Sequence, residues 1–250
     1  MNEYVKNLNR IEFIVTMACT GKCKHCSEGD HTNCAGHIDA KRGADAIRQV
    51  CQHYSITSFM TFGGEALLYP DVVCTLHQAA AEMGIPKRDL ITNGFFSKDP
   101  NRIHEVAFQL KESGVTQILL SADAFHQETI PLETVKYFAS CICEAQIPIK
   151  LSPAWLVSRE DSNPYNCKTR EILSHFEDLQ IPIGDGNIIF PSGNALNYLS
   201  EYFDPATEIS NPYEDDPYDI RSIGFSPEGD VLNGNIHQTP ILDLLEQYHP

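Results

Sequence analysis

Short apolar, β-branched runs interleaved with longer amphipathic stretches restrict this chain to few folds. The runs are EFIVTMA (12–18), SFMTFGG (58–64), DLITNG (89–94), QILLSAD (117–123), IKLSPAWLV (149–157) and NIIFPSG (187–193). Between them, helices are predicted near 40–54, 70–84, 100–113, 131–146 and 163–179. Pro70-Asp71, Asp99-Pro100 and Pro131 are suited to helix starts, and Gly84 and Gly114 to stops. Strands separated by helices of this length imply parallel β/α units. Six such runs predict an α/β fold, a partial (β/α)6 TIM-type barrel, with a doubly wound open sheet as the competitor.

The pattern changes after residue 194. From Glu201 to Asp219 there are seven acidic residues and no lysine or arginine, among Pro205, Pro212 and Pro217. That composition suits a connection or lid, and a plain solvated connection is the simpler reading. DIRSIGFSPEGDVLNGNI (219–236) then reads as a β-hairpin around a Pro-Glu-Gly-Asp turn, and TPILDLLEQY (239–248) as a final helix. The expected division is 1–200, the barrel, and 201–250, an acidic connection with a hairpin and helix packed on it.

Composition excludes some functions. With 34 acidic against 18 basic side chains the net charge is −16, and no basic patch is dense enough to hold a phosphate backbone. Nucleic acid is not an expected partner. No apolar run approaches the roughly 18–20 residues that span a bilayer, and the first residues, MNEYVKNLNR, lack the apolar core of a secretory signal. No membrane association is expected, and the expected location is cytoplasmic. There the nine cysteines would serve as thiols or metal ligands rather than disulfides.

Three of those cysteines crowd into MACTGKCKHCSEGDH (17–31): Cys19, Cys23 and Cys26, spaced C-x3-C-x2-C directly after the first strand. Four thiols would close a zinc site; three leave a metal centre incomplete. In a parallel barrel the strand ends share one face, where such barrels carry active sites. That face would collect the cysteine loop, Gly63-Gly64-Glu65, Thr92-Asn93-Gly94 and Ser121-Ala122-Asp123.

C-x3-C-x2-C after strand one, with GGE at strand two, resembles the radical S-adenosylmethionine (radical SAM) superfamily over roughly residues 11–193. The resemblance implies that Cys19, Cys23 and Cys26 each bind one iron of a [4Fe–4S] cluster, leaving the fourth iron for the amino and carboxylate groups of SAM. Reductive cleavage of SAM would give a 5′-deoxyadenosyl radical that abstracts hydrogen from substrate, with an electron donor such as flavodoxin or ferredoxin as partner. It further implies that Gly63 and Gly64 admit the methionyl amine, with Glu65 reinforcing that strand end. Ser121 and Asp123 would hold the SAM carboxylate and ribose hydroxyls, Asn93 the ribose or adenine, and Ser152 is a weaker candidate.

Structural alternatives stand beside each assignment. The three cysteines could bind zinc with His25, His31 or Cys34. The glycines could form a tight turn, Asn93-Gly94 likewise, and Ser121 and Asp123 could cap a helix. His37 and His126 lie near the expected mouth but suit surface or packing roles. The residue before the last cluster cysteine, often aromatic in the superfamily, is His25. The tail is similar to the start of the SPASM and twitch extensions that carry auxiliary clusters, yet no cysteine follows Cys167, so one cluster is expected. The tail leans toward peptide or protein modification; a small-molecule substrate fits a barrel mouth equally well. A zinc protein or an inactive scaffold acting as a partner are the competing functions.

Overall fold

The computed structural model describes residues 2–31, 34–204, 211 and 214–250. Its strands are β1 (Arg10–Ile14), β2 (Ser58–Phe62), β3 (Lys87–Thr92), β4 (Gln117–Leu120), β5 (Ile149–Leu151), β6 (Ala154–Trp155), β7 (Asn187–Ile188), β8 (Ser222–Phe225), β9 (Asp230–Val231) and β10 (Gly234–Asn235). Its helices are α1 (Ala40–His53), α2 (Pro70–Glu82), α3 (Pro100–Glu112), α4 (Ala124–Gln127), α5 (Leu132–Glu144), α6 (Pro164–Ser174), α7 (Gly193–Tyr198) and α8 (Ile241–Gln247). Six strands form one parallel sheet in the order β5-β4-β3-β2-β1-β8, a partial TIM-type barrel that does not close among the described residues.

Helix boundaries follow local chemistry. Asp39 caps α1 by accepting from Arg42 N at 3.0 Å. Asp99 caps α3 from Asn101 N at 3.0 Å, with Pro100 as first helical residue. Pro70 opens α2, and Gly84 and Gly114 follow α2 and α3 closely, as the sequence predicts. Alternation sets the strand faces. Ile11, Phe13, Phe59, Leu90, Ile118 and Leu120 are fully buried in the core that also takes in α1, α2, α3 and α5. Their alternate neighbours Glu12, Met60, Asp89 and Gln117 fall into register on the other face.

Two expectations are corrected. The sixth run (187–193) yields only the two-residue β7, which pairs with β6 outside the main sheet. The sixth place is taken by β8, which the sequence assigned to a hairpin; it pairs in parallel with β1, Ile11 opposite Ile223 and Phe13 opposite Phe225. Phe13 and Phe225 stack with centroids 4.4 Å apart, and Ile223 and Phe225 are 1% exposed. That burial, which local pattern cannot reveal, decides the pairing. The hairpin that does form is smaller, β9 with β10, and α8 follows it. Part of the acidic run, residues 205–210 and 212–213, lies outside the described residues. Among those described, no helix is long and apolar enough to cross a membrane.

His77 on α2 gives the fold a pH dependence. It is fully buried, shares a 2.9 Å hydrogen bond with Thr61 Oγ1, and its Nδ1 has no partner. Burial, with the nearby Arg88 charge, holds its pKa down at about 3 against an ordinary 6.5. Between those values the unfolded chain binds a proton that the folded chain refuses. Stability therefore falls as pH falls, by about 1.4 kcal/mol per pH unit from this group. Urea midpoints from pH 7 to 5 should drop less steeply in His77→Gln than in the wild type; parallel slopes would sink this assignment.

Candidate functional site

The loop after β1 continues the sheet before it departs. Val15 N donates to Phe62 O (2.8 Å), Gly64 N to Thr16 O (2.8 Å) and Glu65 N to Ala18 O (2.8 Å). This approach requires glycine. A Cβ on Gly63, whose φ is +155°, would sit 2.4 Å from Thr16 O; one on Gly64 would sit 2.4 Å from Ala18 O and 2.6 Å from Met17 O. The glycine pair thus admits the backbone of the cysteine loop itself.

Glu65, 1% exposed, ties the second strand end to the third. Its Oε1 accepts from Leu67 N (2.9 Å) and Thr92 Oγ1 (2.7 Å), and its Oε2 from Asn93 N (2.8 Å). Burial pushes its pKa up, against the opposing pull of those three donors. Asn93, so held, turns Nδ2 toward Thr20 Oγ1 (3.2 Å) and Cys19 Sγ (3.7 Å). Glu65→Gln places an amide where donors converge. We expect a loss of about 1–3 kcal/mol in denaturant-measured stability. An unchanged midpoint would contradict this role.

The three thiols are free and inward-lying: Cys23 is 8% exposed, Cys19 and Cys26 half-buried. Burial pushes the Cys19 thiol up to about 11, partly offset by Gly21 N–H, which donates to its sulfur at 3.4 Å. Burial and the charge of Asp123 push Cys23 up further, and burial raises Cys26. His31 Nε2 lies 3.2 Å from Cys26 Sγ. Three soft donors from one loop, repelling one another as thiolates and approached by N–H groups, suit a cationic iron–sulfur centre. Bound iron would replace their protons.

Beyond β4, Ser121 N donates to Thr92 O (2.9 Å) and its side chain is half-exposed at the mouth. Asp123 is fully buried. Its Oδ1 accepts from Phe125 N (2.9 Å) and His126 N (3.0 Å), and its Oδ2 from Ala154 N (3.0 Å) and His126 Nδ1 (2.8 Å). The carboxylate thus caps α4 and joins β4 to β6. Burial would push Asp123 up, but the imidazole of His126 outweighs it and holds the carboxyl well below the usual range. Burial lowers the His126 pKa, and the Asp123 charge more than restores it. Ser152 N donates to Leu120 O (2.8 Å).

His25 packs between Phe125 (centroids 5.0 Å) and His126 (4.8 Å), and burial lowers its pKa to about 4. Its Nδ1 has no partner. Ligand atoms of Cys23, His25 and His126 lie within 4.8 Å of one another. Sequence reasoning ranked His126 low; the signal was its position three residues after Asp123, which places it on the same turn. Of the histidines read beside the site, His37 packs against Tyr69 with the rings tilted by 52° and centroids 4.4 Å apart. The remaining cysteines are scattered: Cys51, Cys74 and Cys141 lie on helices, and Cys143 and Cys167 are exposed.

A partial parallel barrel, a three-thiol loop after β1 and a GGE turn after β2 thus occur together in one chain. The model of the Radical SAM superfamily matches residues 13–145, and the chain belongs to that superfamily. S-adenosylmethionine and an iron–sulfur cluster are the cofactors that membership brings. The chain is similar to GTP 3′,8-cyclase of Moorella thermoacetica, 26% identical over 127 residues, which are 50% of this chain and 38% of the cyclase. Solved structures share its fold. Streptococcus suis SuiB bound to precursor peptide SuiA has a TM-score of 0.60 at 14% identity, covering 97% of this chain and 65% of SuiB. For anSMEcpe with bound AdoMet the TM-score is 0.60 at 14% identity (96% and 77% covered). For BtrN in complex with AdoMet and 2-DOIA it is 0.52 at 14% (96% and 82%). The chain thus spans less than two thirds of the cyclase and of SuiB.

Proposed function

We propose that this chain is a radical SAM enzyme that abstracts hydrogen from a peptide or protein substrate, with a small molecule as the less favoured class. The observation that carries the reading is the loop bearing Cys19, Cys23 and Cys26 after β1, its base bonded to Gly64 and Asn93 Nδ2 lying 3.7 Å from Cys19 Sγ. Cys19, Cys23 and Cys26 would hold the [4Fe–4S] cluster. With S-adenosylmethionine bound, and one electron from a flavodoxin or ferredoxin, it supplies reductive cleavage to a 5′-deoxyadenosyl radical.

The chain's own groups orient and shield. Gly63 and Gly64 seat the cysteine loop against the end of β2, where the methionyl amine would bind, and Glu65 locks that strand end. Asn93 and Ser121 present polar atoms to the ribose or carboxylate, with Ser152 in weaker support. Asp123 acts through His126, fixing its ring by the bond to Nδ1, and His25 and Phe125 wall off water. Residues 1–200 form the SAM-handling unit, and 201–250 supply the acidic connection, hairpin and helix. Peptide chemistry is favoured by likeness of the tail to peptide-modifying enzymes and by the fold shared with SuiB, seen with its precursor peptide. BtrN, seen with 2-DOIA, keeps the small-molecule class open.

A second reading has its own observation: Cys23, His25 and His126 are close enough to hold zinc. Anaerobically reconstituted protein decides between them. The expected result is iron and sulfide in equal amounts, a reduced-cluster EPR signal that changes on adding SAM, and 5′-deoxyadenosine released on reduction. Zinc in place of iron would overturn the enzyme; a cluster indifferent to SAM would leave a scaffold without turnover.

A further inference from the structure

A segment far along the chain grips the cysteine loop from outside the site. Residues 192–194 leave the β7 region and open α7. Asn194 N donates to Cys26 O (2.9 Å), and Asn194 Nδ2 donates to Cys23 O (3.0 Å) and Gly29 O (3.2 Å). Ser192 Oγ donates to Ser27 O at 3.1 Å. Between them Gly193 has a φ of +49°, and a Cβ there would lie 2.3 Å from Ser27 O and 2.5 Å from Cys26 O. One side chain and one amide thus take the carbonyls of two of the three thiol-bearing residues and of Gly29.

The anchorage is buried. Ala195 and Leu199, on the turn after the clasp, are fully buried in a small core with Phe125, Leu156 and Ile189. Phe125 in turn packs on His25, inside the thiol loop. The loop is also fastened from the other side, where Lys22 N donates to Thr129 Oγ1 (3.1 Å) and Lys24 pairs with Glu128 (3.0 Å). The Lys24 pair is partly exposed and worth little. The Asn194 bonds are less exposed, and they add a second donor to Cys23 O and Cys26 O, which within the loop accept only the longer bonds from Cys26 N and Gly29 N (3.3 Å each). A carbonyl fixed by a donor fixes the peptide planes around Cys23 and Cys26, and with them the directions of both Cα–Cβ bonds.

We propose that Asn194 is a positioning residue for the cluster: it holds the Cys23–Gly29 backbone in the shape that presents two sulfurs to iron. This rests on the reading that Cys19, Cys23 and Cys26 bind the cluster. Asn194→Asp is the sharpest variant, because it keeps the shape and removes the donor. Gly193→Ala attacks the same contact by crowding. Asn235→Ala, which loses hydrogen bonds to Glu228 O and Asp230 in the C-terminal hairpin, is the control.

The measurements are iron loss to a chelator from anaerobically reconstituted protein, the reduced-cluster EPR line shape, and the melting midpoint of the metal-free protein. Asn194→Asp and Gly193→Ala should lose iron about 10- to 100-fold faster than wild type and show altered line shapes. Metal-free Asn194→Asp should still fold, with a melting midpoint lowered by the loss of its two part-buried hydrogen bonds, and Asn235→Ala should keep both iron and line shape. Iron loss and line shape unchanged in Asn194→Asp would overturn the proposal. So would faster loss matched by Asn235→Ala, or a metal-free Asn194→Asp protein that does not fold. Wild-type protein that takes up no iron would overturn the cluster reading itself, and this proposal with it.

Discussion

Cys23→Ala should leave the reconstituted protein without a stable cluster and reduce SAM cleavage below detection. Cys23 is the most buried of the three thiols and the central one in sequence. Each of the three sulfurs would take one iron, and the fourth iron would be left to SAM. Removing one donor opens a second iron to solvent. The fold should survive, since the truncation removes one sulfur from a loop held by backbone bonds; a loss of about 1 kcal/mol is expected. Cys19→Ala and Cys26→Ala should behave alike. Cys34→Ala, in the same loop, and Cys167→Ala, exposed on α6, should retain iron. A Cys23→Ala protein with full iron and a SAM-responsive EPR signal would remove these cysteines from the site.

Gly64→Ala should be nearly as severe, although it touches no metal ligand. The added methyl would lie 2.4 Å from Ala18 O and 2.6 Å from Met17 O, and both obstacles are backbone that cannot rotate aside. Relief requires the loop to move away from β2, breaking the bonds from Gly64 N to Thr16 O and from Glu65 N to Ala18 O. Overpacking of this kind costs about 1–3 kcal/mol. It also shifts the base of a loop whose first thiol is one residue beyond Ala18. Lowered thermal stability and poor iron uptake are expected, with all thiols still present by titration. Gly224→Ala is the matched control: its added carbon meets nothing within 4 Å, so stability and iron uptake should both stay at wild-type levels.

The parts legible in the sequence are those written in neighbouring residues. Asp99-Pro100 marks its helix because cap and first-turn chemistry are local. The three cysteines and the glycine pair were legible because spacing and order are local too. What sequence missed depends on partners far away. The pairing of β8 with β1 joins Arg10 to Ser222, and nothing in SIGF announces a parallel edge rather than a hairpin arm. Asn194 meets Cys23 across 171 positions, and an asparagine opening a helix has an ordinary local explanation. Asp123 shows the opposite case. S-x-D was read both as a SAM contact and as a cap; the structure fills both carboxylate oxygens with bonds from within the chain.

Among the described residues the sheet runs from β5 to β8 without these two edges pairing, so its inner surface is an arc rather than a cylinder. A cylinder must be entered from its rim, so a long molecule can offer only a free tip. An arc can be entered from the side. A residue in the middle of an extended chain could rest against it while both flanks trail into water. Length would then place no ceiling on what is bound, and selectivity would fall to the few positions facing the arc and to whatever covers the gap.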